Sequence, residues 1–195
     1  MRPLPYVYPY AVLFWVVFLW AYVREARIIN RAEKAAKAGA PDDRGSLRVV
    51  MLTQGVAFAA AFYLPWLQWT RFPDPRVAFW TGMLLMVAGA VLRRICFRAL
   101  GTSFTGEVRV RPDQQVVSSG PYRFVRHPSY TAGILMAVGT SIALGSWVGT
   151  IIALVLVIAG YAYRVHVEER ALTTTLGDNY RRYALQTKRF IPFIL

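Results

Sequence analysis

The sequence contains few of the residues that build disulfide frameworks and metal centres. It has one cysteine, Cys96, and two histidines, His127 and His166, among 195 residues. A single cysteine excludes an internal disulfide and a cysteine-cluster metal site, and two histidines without such a cluster argue against zinc or iron. We therefore expect no metal site, and we expect Cys96 to be a buried small apolar side chain.

Acidic residues are also scarce, because 10 Asp and Glu stand against 23 Lys and Arg, which gives a formal net charge of +13. Nucleic-acid binding needs a solvated basic face with aromatic side chains among the cations. Here the aromatic residues lie inside uncharged runs, and 56% of all residues are apolar while only 17% are charged. We predict one integral membrane domain, residues 1–195, that contacts membrane lipids and no nucleic acid.

Long uncharged runs predict the helices. Residues 3–23 form a run of 21, close to the roughly 20 residues that cross a bilayer core. Residues 131–163 form a run of 33, and one helix of that length would reach about 50 Å, well beyond about 30 Å of hydrocarbon. We therefore expect a tight hairpin of two helices, broken near Gly145. The prediction is an all-α bundle of five transmembrane helices at about 4–23, 49–70, 77–98, 129–145 and 148–165.

The residues near the ends and on the faces of these spans predict further contacts. Arg93 and Arg94 close the third span, where their long stems can reach the headgroups. The polar tail after Arg164 has helical spacing with a break at Gly177, so we expect a cytosolic C-terminal helix against the bundle. Small residues of the hairpin should let the fourth and fifth helices approach closely; these are Gly133, Gly139, Ala153, Ala159 and Gly160.

The distribution of cations predicts the orientation. Of the 23 Lys and Arg residues, 20 fall on one side of the five predicted spans, and only Arg2, Arg71 and Arg76 fall on the other. By the positive-inside rule the N-terminus lies outside, and the C-terminus lies in the cytosol. Residues 118–130, which precede the hairpin, then face the cytosol.

Two polar segments meet the membrane on this side. The first is 118–130, where Pro121 and Pro128 keep the backbone out of regular helix. The second begins at Arg164, which shares a helix face with Glu168 four residues later. A plain ion pair would explain that spacing, but ionisable groups at the end of a membrane helix favour a functional site. The residues alone predict a five-helix membrane protein with a polar cytosolic pocket.

At these positions the sequence resembles the isoprenylcysteine carboxyl methyltransferase family and its phospholipid methyltransferase relatives, which are membrane enzymes that use S-adenosylmethionine. The resemblance covers roughly residues 104–193. It rests on motifs that occur in the same order as in the family: Ser119-Gly120-Pro121-Tyr122, Arg126-His127-Pro128-Ser129-Tyr130, Arg164 with Glu168-Glu169, and Leu172, Gly177, Tyr180, Tyr183 and Pro192.

The resemblance implies a cofactor, S-adenosylmethionine, which leaves as S-adenosylhomocysteine, and it implies roles for single residues. Glu168 is expected to hold the amino group of the cofactor. Arg164 is expected to be the catalytic residue that faces the methyl acceptor, with Glu169 beside it in the substrate site. The other cofactor-binding residues that it implies are Glu107, Gln114, Gln115, Val116, Val117, Tyr122, His127, Pro128, Ser129 and Tyr130.

The methyl acceptor stays open at this point. Arg164 four residues before Glu168 resembles the carboxyl methyltransferase branch, which implies a lipophilic, prenylated cysteine carboxylate. A phospholipid or other amine acceptor would need a base such as Glu169, His127, His166 or a tyrosine. Two further alternatives are a sterol-type reductase that uses NADPH, against which the small size of the chain argues, and an inactive lipid-binding scaffold.

Overall fold

The computed structural model of the protein describes residues 2–35, 43–104, 108, 110 and 114–190. These residues form α-helices and short 3-10 turns, with no β-structure among them beyond isolated bridge pairs, which confirms the all-α prediction. The helices are α1 Tyr10–Ala35, α2 Ser46–Tyr63, α3 Pro75–Leu100, α4 Pro128–Leu144, α5 Trp147–Leu176 and α6 Asp178–Gln186.

Each predicted span falls on one of the helices α1 to α5, but several ends differ. The first regular helix begins at Tyr10 because prolines interrupt the preceding residues, which form a 3-10 turn at Leu4–Tyr6. The second ends at Tyr63, where Pro65 lies in the first of two 3-10 turns. The fifth runs on past residue 165 to Leu176, so the second polar segment belongs to the same rigid helix as the span.

Two of the described helical segments are long and apolar enough to cross a membrane by length and composition. They are Ser46–Trp66 and Trp147–Leu176, and Pro128–Leu144 is a shorter apolar helix. The count of five spans therefore stays a prediction.

The outward faces of the bundle carry large apolar side chains. Exposed examples occur on every helix from α1 to α5, except the short α4. A bundle in water normally turns polar side chains outward, so this surface favours contact with hydrocarbon. The exposed residues include Val12, Val16, Leu19, Met51, Leu52, Val56, Leu84, Val91, Ile151, Val155 and Ile158.

The α4–α5 hairpin is confirmed, with a two-residue turn. Gly145 takes a left-handed conformation with φ of 100° at the end of α4, and the Ser146 hydroxyl caps α5 by accepting from the Gly149 N–H at 3.0 Å. At this end of the bundle the turn also accepts a hydrogen bond from the Phe72 N–H. Exposed aromatic side chains gather there, as at a membrane interface: Tyr63, Trp66, Trp69 and Trp147.

Two glycines of the hairpin serve other helix pairs than predicted. Gly133 of α4 does face α5, against the Tyr161 ring, and Ala153 of α5 lies in one buried cluster with Ala137 of α4. Gly139 instead lies against Met86 of α3, and Gly160 lies against Thr53 of α2. The expectation of tight α4–α5 packing through Gly139 and Gly160 is therefore wrong, because α4 packs along α3 and α5 packs along α2.

The two arginines at the end of α3 also behave differently from each other. The Arg94 guanidinium lies 3.5 Å from the centre of the Trp20 ring, near the surface. Arg93 is buried and turns inward, where its Nε donates to Glu25 Oε1 at 2.7 Å. The expectation that Arg93 reaches the headgroups is wrong, because α1 brings a carboxylate to meet it inside the bundle.

Substituting Gly139→Ala should lower the unfolding temperature. A Cβ at this position would lie 2.5 Å from the Met86 backbone nitrogen and 2.8 Å from the Gly82 carbonyl oxygen. Backbone atoms cannot yield as a flexible side chain can, so α3 and α4 must move apart, at a cost of about 1–3 kcal/mol. Thermal unfolding of the purified protein in detergent would measure the loss.

The matched control is Gly55→Ala on α2, where no atom lies within 4 Å of the added Cβ. This variant should unfold at the same temperature as the wild type, or higher, since alanine favours helix over glycine. Equal unfolding temperatures for the two variants would contradict the close approach of α3 and α4.

Candidate functional site

A cavity of about 480 Å³ lies at the end of the bundle opposite the hairpin turn. Its walls come from α1, α2, α3, α5 and α6, the start of α4, and the loop before α4. Most of the residues predicted for the site line this one cavity: Gln114, Gln115, Val116, Val117, Tyr122, His127, Ser129, Tyr130, Arg164 and Glu168.

Two other predicted residues, Pro128 and Glu169, do not line the cavity, and a third, Glu107, lies outside the described residues. Pro128 is buried at the first position of α4, where a residue without an N–H costs no hydrogen bond. Glu169 is partly buried on the far side of its helix, among basic side chains.

The loop before α4 reaches the cavity through a sharp change of direction. Gly120 has a φ of 58°, and Gly120–Arg123 forms a 3-10 turn that buries Tyr122. The chain then runs alongside the C-terminal segment, where the N–H groups of Arg126 and His127 donate to the carbonyls of Lys188 and Arg189 at 2.7 and 3.0 Å. This backbone pairing fixes the position of His127, the N-cap residue of α4.

A chain of hydrogen bonds joins the two polar segments on the cavity wall. The Tyr130 hydroxyl donates to Glu168 Oε2 at 2.6 Å, and Arg164 Nε donates to the same hydroxyl at 3.3 Å. His127 Nδ1 lies 3.8 Å from Glu168 Oε2. The Tyr130 hydroxyl therefore lies between the Glu168 carboxylate and the Arg164 guanidinium. The two charged residues are joined through this tyrosine, and the spacing of four is not explained by a plain ion pair alone.

Arg164 has a further partner that the sequence did not indicate. Its Nη1 lies 2.5 Å from Asp43 Oδ1 and 3.0 Å from Ser46 Oγ, and all three side chains are buried. Burial alone would raise the pKa of Asp43, but the Leu47 N–H, the Ser46 hydroxyl, the Val108 N–H and the Arg164 charge together lower it. The carboxylate is therefore ionised at neutral pH.

Glu169 lies in a basic cluster that ties the C-terminal segment to the bundle. Its carboxylate contacts Arg126 Nε at 3.1 Å, His127 Nε2 at 3.2 Å and Arg189 Nη2 at 2.9 Å. Arg126 Nη1 also donates to the carbonyls of Ala184 and Thr187, at 2.5 and 2.7 Å. This arrangement gives Glu169 a structural task outside the cavity.

A second polar group lines the cavity on the side of α1 and α3. Arg93 pairs with Glu25 and donates from Nη1 to the Ser129 carbonyl at 2.5 Å. Nearby, Gln54 Nε2 donates to the Tyr161 hydroxyl at 2.8 Å. Spacing along the sequence could not identify this group, because Glu25 and Arg93 are 68 residues apart.

One buried hydroxyl of the cavity wall, that of Tyr180, has no hydrogen-bond partner among the described residues. The Tyr180 side chain is only 5% exposed. Buried polar atoms are nearly always paired, so this hydroxyl is available to a polar ligand. The sequence motifs included Tyr180, but its helical spacing suggested packing rather than binding.

Substituting Glu169→Gln should loosen the C-terminal segment. The carboxylate holds Arg126 and Arg189, and without its charge the pairing of Arg126 and His127 with the tail weakens. Hydrogen exchange at the backbone amides of Arg126 and His127 should become about tenfold faster. This corresponds to a loss of about 1.4 kcal/mol in the free energy of local opening. Mass spectrometry of the peptide that contains them would measure the rate.

The control is Asp178→Asn, which removes an ion pair with Arg181 whose side chains are 85% and 66% exposed. An exposed pair contributes little, so the exchange rates should match those of the wild type. Unchanged rates in Glu169→Gln would show that the cluster does not hold the tail.

Residues 80–174 match the sequence model of the isoprenylcysteine carboxyl methyltransferase (ICMT) family. Protein-S-isoprenylcysteine O-methyltransferase B of Arabidopsis thaliana is 30% identical over 128 residues, which are 63% of this chain and 65% of that protein. Protein-S-isoprenylcysteine O-methyltransferase of Mus musculus is 25% identical over 189 residues, covering 92% of this chain and 66% of that protein. The chain thus spans just under two thirds of the length of these relatives.

A solved structure shares the fold. The eukaryotic intramembrane Ras methyltransferase ICMT (isoprenylcysteine carboxyl methyltransferase) aligns with a TM-score of 0.60 at 24% sequence identity, over 74% of this chain and 52% of that chain. The sequence matches confirm the family resemblance that the motifs indicate. The structural match supports the all-helical fold.

Proposed function

We propose that this chain, which resembles the isoprenylcysteine carboxyl methyltransferase family, is an integral membrane methyltransferase. It transfers a methyl group from S-adenosylmethionine to the carboxylate of an isoprenylcysteine-like acceptor. The observation that carries the proposal is the single cavity in which Glu168, Arg164 and the loop before α4 meet.

The donor set of the cavity fits S-adenosylmethionine. Glu168 offers a carboxylate to the ammonium group of the cofactor, since a charged hydrogen bond suits that partner. The hydroxyls of Tyr122 and Tyr180 and the amides of Gln114 and Gln115 suit its remaining polar groups. When bound, the cofactor supplies an electrophilic methyl group on its sulfonium.

Arg164 is placed to hold the acceptor. A guanidinium binds a carboxylate well, and this one is fixed from behind by Asp43, Ser46 and Tyr130. Fixed orientation is the main contribution that such a displacement needs, on the order of 7–11 kcal/mol in well-aligned cases. Five of the eight cavity residues contributed by α1 and α2 are apolar and suit a prenyl chain; they are Ala26, Ile29, Leu47, Val50 and Met51.

The geometry favours a carboxylate over an amine as the acceptor. A carboxylate is already ionised at neutral pH, whereas an amine must lose a proton to a base. His127 reaches the cavity, but its Nε2 contacts Glu169, and Glu169 is itself held by two arginines. His166 is exposed and does not line the cavity.

Replacing Glu168→Ala should abolish binding of S-adenosylmethionine, because the ammonium group loses its counter-charge. Arg164→Ala should leave that binding within a few fold of the wild type and stop turnover, because the acceptor loses its guanidinium. Isothermal titration in detergent measures the first effect, and transfer of labelled methyl measures the second. Asp178→Ala, at an exposed acid that does not line the cavity, should change neither quantity.

Other outcomes would identify another function. No binding of S-adenosylmethionine by folded wild-type protein would end the proposal. Quenching of tryptophan fluorescence by NADPH, but not by S-adenosylhomocysteine, would favour the reductase alternative. Methylation of a phospholipid amine in place of a thioether carboxylate would retain the cofactor site and replace the acceptor.

We also propose five membrane spans with the cavity on the cytosolic side. Support comes from the apolar outer faces, the aromatic residues near the hairpin turn, and the basic residues around the opposite end. In this arrangement the water-soluble cofactor reaches the cavity from the cytosol, and the lipophilic acceptor reaches it from the membrane.

Labelling of single cysteines should reveal this orientation. Trp69→Cys near the hairpin turn should react with a membrane-impermeant maleimide in intact cells, because position 69 is 68% exposed and faces outward. Leu185→Cys on α6, at a position 88% exposed, should react only after permeabilisation. The native Cys96 is buried and serves as the unreactive background. The reverse pattern would contradict the proposed orientation.

A further inference from the structure

Asp43 joins three parts of the chain that are distant in sequence. It lies just before α2, is 8% exposed, and is outside the residues that match the family. Its carboxylate contacts the beginning of α2, the Val108 N–H in the loop after α3, and Arg164 on α5. The last two partners are 65 and 121 residues away.

The two carboxylate oxygens of Asp43 have different partners. Oδ2 accepts from the Leu47 N–H at 2.9 Å and so caps the start of α2 from two residues before the N-cap position, which is Gly45. Oδ1 accepts from Ser46 Oγ at 2.9 Å, from Val108 N at 3.2 Å and from Arg164 Nη1 at 2.5 Å. One oxygen would be enough for a cap, so the other is available to hold the guanidinium.

Arg164 extends from this carboxylate to the cavity wall. Nη1 lies between Asp43 and Ser46, while Nε donates to Tyr130, which in turn donates to Glu168. A flexible arginine side chain becomes a rigid fork when its ends are held in this way. Asp43 therefore sets the position of the group that meets the acceptor, although Asp43 itself does not line the cavity.

We propose that Asp43 is a positioning residue for methyl transfer, and that it acts by fixing Arg164 toward the acceptor carboxylate. The inference rests on the proposed function. It assigns a role in the reaction to the first part of the chain, which the family match does not cover. The plain alternative is that Asp43 only caps α2 and affects stability.

Asp74 provides a matched control for the alternative. It caps α3 through hydrogen bonds from the N–H groups of Arg76 and Val77 at 2.9 and 3.1 Å, at an exposed site. Asp74→Asn therefore removes the charge of a helix-capping side chain, which Asn can still replace as an acceptor, without touching Arg164. Asp43→Asn likewise keeps a capping oxygen but removes the charge that holds Arg164, while Asp43→Glu restores the charge one methylene farther out.

The test measures three quantities for the full-length wild type and each variant: the unfolding temperature, the Kd for S-adenosylmethionine, and kcat and KM for an N-acetylated S-prenylcysteine. For Asp43→Asn, the Kd should stay within about twofold while kcat/KM for the acceptor falls roughly 10- to 100-fold, as expected of a misplaced reacting group. Asp43→Glu should recover part of that loss. Asp74→Asn should keep both quantities within about twofold.

The inference would be overturned if Asp43→Asn and Asp43→Glu, on an active wild-type background, both kept the wild-type kcat/KM. It would also be overturned if cofactor affinity and acceptor kinetics fell together with the unfolding temperature, because that pattern is the one expected of a cap alone. If the wild type bound S-adenosylmethionine but transferred no methyl to a carboxylate, the proposed function would fail, and the inference with it.

Discussion

The pairing of the buried Arg164 guanidinium is the interaction on which the architecture of the site depends. A guanidinium removed from water is costly unless carboxylates and hydroxyls surround it. Here Asp43 from the start of α2 and Tyr130 from the start of α4 meet this residue of α5. The three elements must therefore lie close together at one end of the bundle, and the cavity is the space that they enclose.

Helix packing makes that meeting possible. Gly139 of α4 faces α3 and Gly160 of α5 faces α2, which brings α4 along α3 and α5 along α2. The continuous helix Trp147–Leu176 then carries Arg164, Glu168 and Glu169 on one rigid rod, with the first two toward the cavity and the third toward the C-terminal segment. The C-terminal segment pairs with the backbone of Arg126 and His127, and Glu169 of α5 contacts Arg189 of that segment. The same helix therefore positions the cavity residues and holds the C-terminal segment against the bundle.

Sequence patterns predict the features that depend on near neighbours. A run of 33 uncharged residues is too long for one span, so the hairpin followed from length alone. The family resemblance implied ten cofactor- or substrate-binding residues that the structure gathers in one cavity, and six of them belong to the motifs from Ser119 to Glu168. The roles of these residues remain proposals.

The contacts that could not be predicted join residues far apart in the chain. Asp43 and Arg164 are 121 residues apart, and Glu25 and Arg93 are 68 apart. A charged residue next to a membrane span can contact lipid headgroups, solvent or a partner inside the protein. The spacing of residues along the sequence does not show which of these it contacts. Arg93 was for this reason expected at the headgroups. Gly139 and Gly160 were assigned to the wrong helix pair.

The most direct measurement of the central claim is the chemical nature of the methylated product. The purified chain is incubated with S-adenosylmethionine that carries a labelled methyl group and with an N-acetylated S-prenylcysteine, and the product is treated with mild base. A carboxyl methyl ester is hydrolysed and releases the label as volatile methanol, which is the result that we predict. Label that survives base on an amine, or no transfer by protein that binds the cofactor, would contradict the account.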